Sequence, residues 1–180
     1  CAYFLARFYT VLSRCRSVWP AAPPFRRLNP PRFATVLEGA INAMASQQVT
    51  LTLGIHLLGR LAVAYGTVFG EGDDAVHAFP LPEALAELNP ADLRQLGFSR
   101  QKGRAMIELA ESVANRQLDL EELATLPDDE ALKRLTELRG IGRWSAEYIL
   151  LRGLGRTHIF PGDDVGARNN LQRWLRQAKP

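Results

Sequence analysis

Two glycines one residue apart, Gly140 and Gly142, sit inside Leu138-Arg139-Gly140-Ile141-Gly142-Arg143, between two stretches of helical periodicity. One helix must end and another begin within a few residues, so the two meet at a tight corner. Glycine allows positive φ there, or close approach of another group to the backbone. The peptide N–H groups opening the second helix then point outward, and together with the helix dipole they attract a phosphate. Arg139 and Arg143 add positive charge beside the turn. No strand precedes the pair and G-x-G-x-x-G is not completed, so this is not the turn of a dinucleotide-binding βαβ unit. An ordinary corner between helices would use the same glycines, and at this point both readings stand.

The remainder of the chain is also helical in pattern. Phe33, Val36, Leu37, Ala40, Ile41 and Met44 form one apolar stripe, and Leu53, Leu57, Leu61 and Tyr65 a second. "YGTVFGEGDDAVHAFPLP" reads as a glycine-rich loop, and "LPEALAELNPADLRQLGFS" as two short helices split at Asn89-Pro90. Ser99 has the character of an N-cap for a helix carrying Met106, Leu109, Ala110 and Val113. "LDLEELATLPDDEALKRLTEL" gives two more short helices, with Pro127 at the first turn of the second. No segment alternates with period two and no repeat is present, so the fold class is all-α, about ten helices on short connections. With 47% apolar residues the chain can bury a core.

Residues 1–32 differ from this body. "CAYFLARFYTVLSRCRSVW" is hydrophobic enough to suggest a signal peptide, but Arg7, Arg14 and Arg16 interrupt the apolar run and no small-residue cleavage site follows cleanly, so it reads as an amphipathic helix. The five prolines between Trp19 and Phe33 form an extended linker. Residues 33–180 then make one domain, with the hairpin at 136–151 and a second loop of interest at 159–166.

Charge is unevenly spread. Residues 133–180 carry ten Lys/Arg against four Asp/Glu, whereas residues 1–132 carry twelve against fifteen. A basic end of this kind suits a polyanion-binding surface, or a solvated helix face. Two cysteines and three histidines supply neither a disulfide framework nor metal-ligand spacing, which fits a reducing compartment. No apolar run reaches the length of a membrane span.

Beyond the turn, Trp144 and Tyr148 are four residues apart and share one helix face. They are either core or the wall of a pocket. Asp163 and Asp164 follow at the start of "VGARNNLQRWLR", where a carboxylate is an N-cap or a reagent, and two in a row allow one of each.

"FATVLEGAINAMASQQVT", "LGFSRQKGRAMIELA" and "LRGIGRWSAEYILLRGLGRTHIFPGDDVG" together resemble the helix-hairpin-helix (HhH-GPD) DNA glycosylase superfamily, most closely its bacterial DNA-3-methyladenine glycosylase II branch, over residues 33–176. The resemblance implies two helical lobes flanking a DNA-binding cleft. It assigns Asp164 as the catalytic carboxylate, Asp163 as its companion, and Trp144 and Tyr148 as the lining of the damaged-base pocket. Amides around Gly140, Gly142 and Trp144, beside Arg143, would hold a DNA phosphate. The carbonyls of Thr136, Leu138 and Ile141 match a site for Na⁺ or K⁺. Gln47 and Gln48 lie where relatives insert a wedge, often leucine, into the gap left by an extruded base.

Departures from the family pattern narrow the expected chemistry. Trp144 occupies the place of the lysine that forms a Schiff base in bifunctional relatives, and two cysteines cannot build the four-cysteine iron–sulfur cluster of the endonuclease-III-like branch. The sequence stops at "RQAKP", earlier than relatives do, and the β-rich lobe of some relatives is not seen before residue 33. The expectation is a monofunctional hydrolase of alkylated purines in double-stranded DNA, leaving an abasic site. No cofactor is expected beyond the hairpin cation. The protein would act as a monomer in the cytoplasm at the nucleoid, without membrane attachment. A helix-hairpin-helix DNA-binding module without catalysis is the alternative.

Overall fold

The computed structural model describes the backbone of residues 30–175 and the side chains of residues 30–173. The leading helix and most of the proline-rich linker expected over 1–32 lie outside the described residues. Two compact units are present: residues 31–161 make one, and the described residues 162–175 belong to the other. The stretch read from sequence as one domain, 33–180, has residues in both.

Among the described residues there are eight α-helices, two 3₁₀ turns and a two-stranded ladder. Helix α1, Val36–Ser46, is capped by the Thr35 hydroxyl, which accepts the Glu38 N–H at 3.1 Å. The cap explains why Phe33, placed in the first stripe, precedes the helix instead of joining it. Val36, Leu37, Ala40, Ile41 and Met44 are all buried, and Gly39, Ala43 and Ala45 as well, so α1 is enclosed on most sides. Full burial of side chains such as Ile41 and Met44 stabilises the fold by roughly 1.5–3 kcal/mol each.

Helix α2, Leu51–Tyr65, buries Gly54, Leu57 and Leu61, while Leu53 is 46% exposed. Gly54 lies against Ser46 at the end of α1, which turns the buried line through 54, 57 and 61 and leaves Leu53 to one side. The glycine-rich stretch is not wholly loop. Strands β1, Val68–Phe69, and β2, Val76–His77, pair antiparallel as Val68↔His77 and Phe69↔Val76 around a 3₁₀ turn at Gly72–Asp74. Two residues per strand are too few to display alternation.

Helices α3, Pro82–Ala86, and α4, Pro90–Gln95, are separated at Asn89, which forms a capping box with Asp92. Both pack on α5, Arg100–Ala114, whose N-cap is Ser99. The segment Glu121–Thr125 is 3₁₀ and not an α-helix. Helix α6, Asp128–Glu137, has Pro127 at the extended N-cap position, one residue before the expected first turn. Helix α7, Arg143–Arg152, packs against α6 and α1. Helix α8, Val165–Leu175, belongs to the other unit.

Candidate functional site

Helix α6 closes with Leu138 N–H on the Leu135 carbonyl at 3.2 Å, and the turn continues with Ile141 N–H on the Leu138 carbonyl at 3.1 Å. Ile141, 4% exposed, pins the turn into the core. The two glycines have different reasons to be there. Gly140 has φ +81°, and a Cβ at this position would stand 2.8 Å from the Ala105 Cβ, so the fold itself requires glycine. Gly142 has φ −89° and ψ 179°, an extended conformation open to any residue, and a Cβ would meet nothing within 4 Å. It is the N-cap of α7, where no side chain caps the helix. Packing against the described residues thus makes no demand for glycine at this position.

Charged groups surround the turn. Arg143 Nε bonds Glu147 Oε1 at 2.9 Å from a largely exposed side chain. Arg139 reaches Glu108 at 3.0 Å, and Glu108 also takes Arg104 at 2.8 Å. The Arg104 hydrogen bond, with the Arg139 charge beside it, holds the Glu108 carboxyl below the usual carboxylate range. Gln47 is joined to the hairpin: its Nε2 donates to the Gly140 carbonyl at 2.7 Å and to Ser145 Oγ at 2.8 Å. Its neighbour Gln48 has φ +53°, uncommon for a residue other than glycine. Gln47, Gln48, Lys102, Arg139 and Gly140 line a cavity of about 310 Å³ where the end of α1, the start of α5 and the hairpin converge. Thr136 is exposed, and its hydroxyl donates to the Lys133 carbonyl at 2.8 Å.

Trp144 and Tyr148 are both half-buried on α7, and Tyr148 packs against the core. Their rings stack with centroids 5.4 Å apart and planes 28° from parallel. Phe33 approaches Tyr148 at 6.3 Å, and the Arg152 guanidinium lies 5.1 Å from the Phe33 ring and 5.7 Å from that of Tyr148. The Tyr148 hydroxyl donates to Asn42 Oδ1 at 2.8 Å. Burial raises the Tyr148 phenol above its ordinary range, with the Arg152 charge opposing. In the sequence Phe33 reads only as part of an apolar stripe, and nothing there ties it, Asn42 or Arg152 to Tyr148; Phe33 and Asn42 are more than a hundred residues from Tyr148 along the chain.

In the other unit, Asp164 Oδ1 accepts the Ala167 N–H at 2.7 Å, and the Asp164 carbonyl accepts the Arg168 N–H at 2.9 Å. Of the two aspartates, Asp164 caps the first turn of α8, while Asp163 is exposed. The cap and the candidate reagent are therefore the same residue.

The loop after α7 is tied down within the first unit. Arg156 donates to the Leu123 and Leu126 carbonyls, both at 2.7 Å, and to Asp128 Oδ1 at 2.6 Å. His158 Nε2 lies 2.5 Å from Asp128 Oδ2, and hydrogen bonds from His158 and then Arg156 hold the Asp128 carboxyl below its usual range. Nothing in the sequence pattern pairs these positions. Among the described residues no cluster of three His, Cys, Asp or Glu could hold a metal ion, and no helix is long and apolar enough to cross a membrane.

The chain is similar to YfjP of Bacillus subtilis, 39% identical over 139 residues that make up 77% of this chain and 47% of that protein. It is 33% identical to DNA-3-methyladenine glycosylase 2 of Escherichia coli over 146 residues, 80% of this chain and 49% of the other. Among solved structures, 3-methyladenine DNA-glycosylase from Archaeoglobus fulgidus superposes with a TM-score of 0.82 at 27% identity, covering 94% of this chain and 57% of that one. The chain thus spans about half the length of the two bacterial relatives. The family model for the HhH-GPD superfamily base excision DNA repair protein matches residues 41–179, which include the hairpin, the aromatic pair and Asp164. By that match, and by a helical fold shared with a glycosylase, this chain belongs to the HhH-GPD superfamily of base excision DNA repair proteins.

Proposed function

We propose that this chain carries the helical body of a monofunctional DNA glycosylase that removes alkylated purines of the 3-methyladenine type from double-stranded DNA. The observation that carries the reading is the stacked Trp144–Tyr148 pair, kept half-exposed one turn after the hairpin. A base cannot be attacked within the duplex stack, so the nucleotide must leave it, at a cost of a few kcal/mol that damage lowers. An alkylated purine such as 3-methyladenine is cationic, and aromatic faces attract it by about 0.5–2 kcal/mol. Stacking reads charge and shape more than hydrogen-bond pattern, which suits a broad range of alkylated bases.

Gly142 supports the grip on DNA: with no side chain of its own at the N-cap of α7, it lets a phosphate approach the N–H groups of the first turn, and Arg143 and Arg139 add charge. The carbonyl oxygens of Thr136, Leu138 and Ile141 are neutral, hard donors of the kind a monovalent cation takes. The Leu138 carbonyl keeps a second lone pair beyond its bond to Ile141 N–H. Such a cation would add positive charge beside the bound phosphate.

Asp164 is assigned the chemistry: its carboxylate stabilises the oxocarbenium-like sugar and orients or deprotonates the attacking water. A cationic base leaves readily, so no strong general acid is needed. The bond from Ala167 N–H fixes one carboxylate oxygen in place. That same bond is what a non-catalytic DNA-binding module would need of Asp164, and it keeps that second reading in play. The Escherichia coli and Archaeoglobus relatives bear the name of the proposed activity. On this reading the protein acts as a monomer in the cytoplasm at the nucleoid. The test is incubation with DNA methylated at random by an alkylating agent, followed by chromatography of released bases. Free 3-methyladenine, lost in Asp164→Asn, supports the enzyme; DNA binding without any released base leaves the module.

A further inference from the structure

Lys102 lies on α5, remote in sequence from both the end of α1 and the hairpin. Its ammonium donates to the carbonyl oxygens of Ala45 at 3.1 Å and Gln47 at 2.6 Å. These belong to the closing turn of α1, where carbonyls have no partner within their own helix. A cation there satisfies them and meets the negative end of the helix dipole. Burial pulls the Lys102 ammonium below the ordinary lysine range, so the charge is held where solvent supports it poorly.

The connection does not stop at α1. Gln47, whose carbonyl takes the shorter of the two bonds, sends its own side-chain amide to the Gly140 carbonyl at 2.7 Å and the Ser145 hydroxyl at 2.8 Å. Gly140 is the left-handed residue of the turn, and Ser145, 1% exposed, is in the first turn of α7. Three segments that meet nowhere in sequence are therefore linked in series: α5 through an ammonium, the end of α1 through Gln47, and the hairpin. Gln48 follows at once with φ +53°, so the corner that holds Gln47 also sets how Gln48 is presented.

We infer that Lys102 is a positioning residue which, acting through Gln47, sets the hairpin turn and the Gln47–Gln48 corner in a fixed relation to each other. For Gln47 this replaces a wedge role with that of a strut and leaves Gln48 as the residue offered to the DNA. The effect on catalysis rests on the glycosylase reading; the relay itself does not.

The relay is tested on the full chain by assigned amide NMR spectra, without DNA. Lys102→Met shifts the amide resonances of Gly140 through Ser145, and Lys102→Arg, which can donate to the same two carbonyls, leaves them near their wild-type positions. In a Gln47→Leu background, Lys102→Met no longer moves them. If Lys102→Met does not fold, Lys102→Gln, whose shorter amide cannot hold both carbonyls, takes its place: it shifts Gly140 through Ser145, and the Gln47→Leu background removes that shift. Hairpin resonances that ignore Lys102→Met, move equally with or without Gln47, or stay put in Gln47→Leu would overturn the relay. In single-turnover excision, Lys102→Met or Gln47→Leu lowers the rate at least tenfold while affinity for undamaged duplex changes less than threefold. The double variant is then no slower than the worse single variant, whereas independent losses that multiply would overturn the relay. If the wild-type chain releases no base, the glycosylase reading fails and the NMR result still decides the relay.

Discussion

The rings of Trp144 and Tyr148 stack 5.4 Å apart on the half-exposed side of α7, and the Tyr148 hydroxyl is anchored to Asn42. Trp144→Ala should therefore reduce excision of cationic alkylated purines more than excision of a neutral base such as hypoxanthine. The cation–π share at stake is roughly 0.5–2 kcal/mol, or about two- to thirtyfold in rate. Parallel kinetics on the two substrates measure it. Equal loss on both, with a lowered melting temperature, would mean that Trp144 acts only through packing.

Gly140 and Gly142 should separate stability from binding. Gly140→Ala places a side chain at φ +81° against Ala105 and is expected to cost about 2–4 kcal/mol. Gly142→Ala meets no protein atom and should cost under about 1 kcal/mol, the loss expected of a weaker N-cap. Affinity for duplex DNA should nonetheless fall on the order of tenfold, one lost charge-assisted contact's worth. Thermal melts and a binding titration at fixed salt distinguish the two variants. A Gly142→Ala chain that binds DNA as tightly as wild type would remove the phosphate from this turn.

Asp164→Asn should preserve the fold, because asparagine caps a helix as well as aspartate and the Ala167 N–H keeps its acceptor. Base release should drop by about 10²–10⁴. DNA binding should survive, since removing a negative charge near phosphates does not weaken it. Full turnover in this variant, with an unchanged melting curve, would shift the chemistry to Asp163 or elsewhere.

Borohydride added during the reaction should trap no protein–DNA adduct, and strands should break only after alkali. A Schiff base needs an available amine. The chain has three lysines, Lys102, Lys133 and Lys179, and the family resemblance implies that Trp144 takes the place of the lysine of bifunctional members. Lys102 is engaged with two carbonyls. An adduct that vanishes on mutation of one of these lysines would contradict hydrolysis by water.

Local features were legible in the residues alone. Asn89, Ser99 and the apolar stripe of α1 act through neighbours three or four positions away, and such short-range geometry is written in spacing. The same holds for the Trp144–Tyr148 face and for a carboxylate opening α8. Tertiary contact decided the rest. Gly140 and Gly142 look alike in sequence, yet Gly140 is required by Ala105, a residue on another helix, while Gly142 answers to nothing in the protein. Gln47, which the resemblance sets at the wedge position, is bonded to Gly140 and Ser145, and Lys102 to the closing carbonyls of α1, and neither connection shows in the sequence. A hydrogen bond between segments dozens of residues apart depends on where whole helices pack, and that placement is set by the summed burial of α1, α5, α6 and α7, not by the identity of the two residues that finally touch.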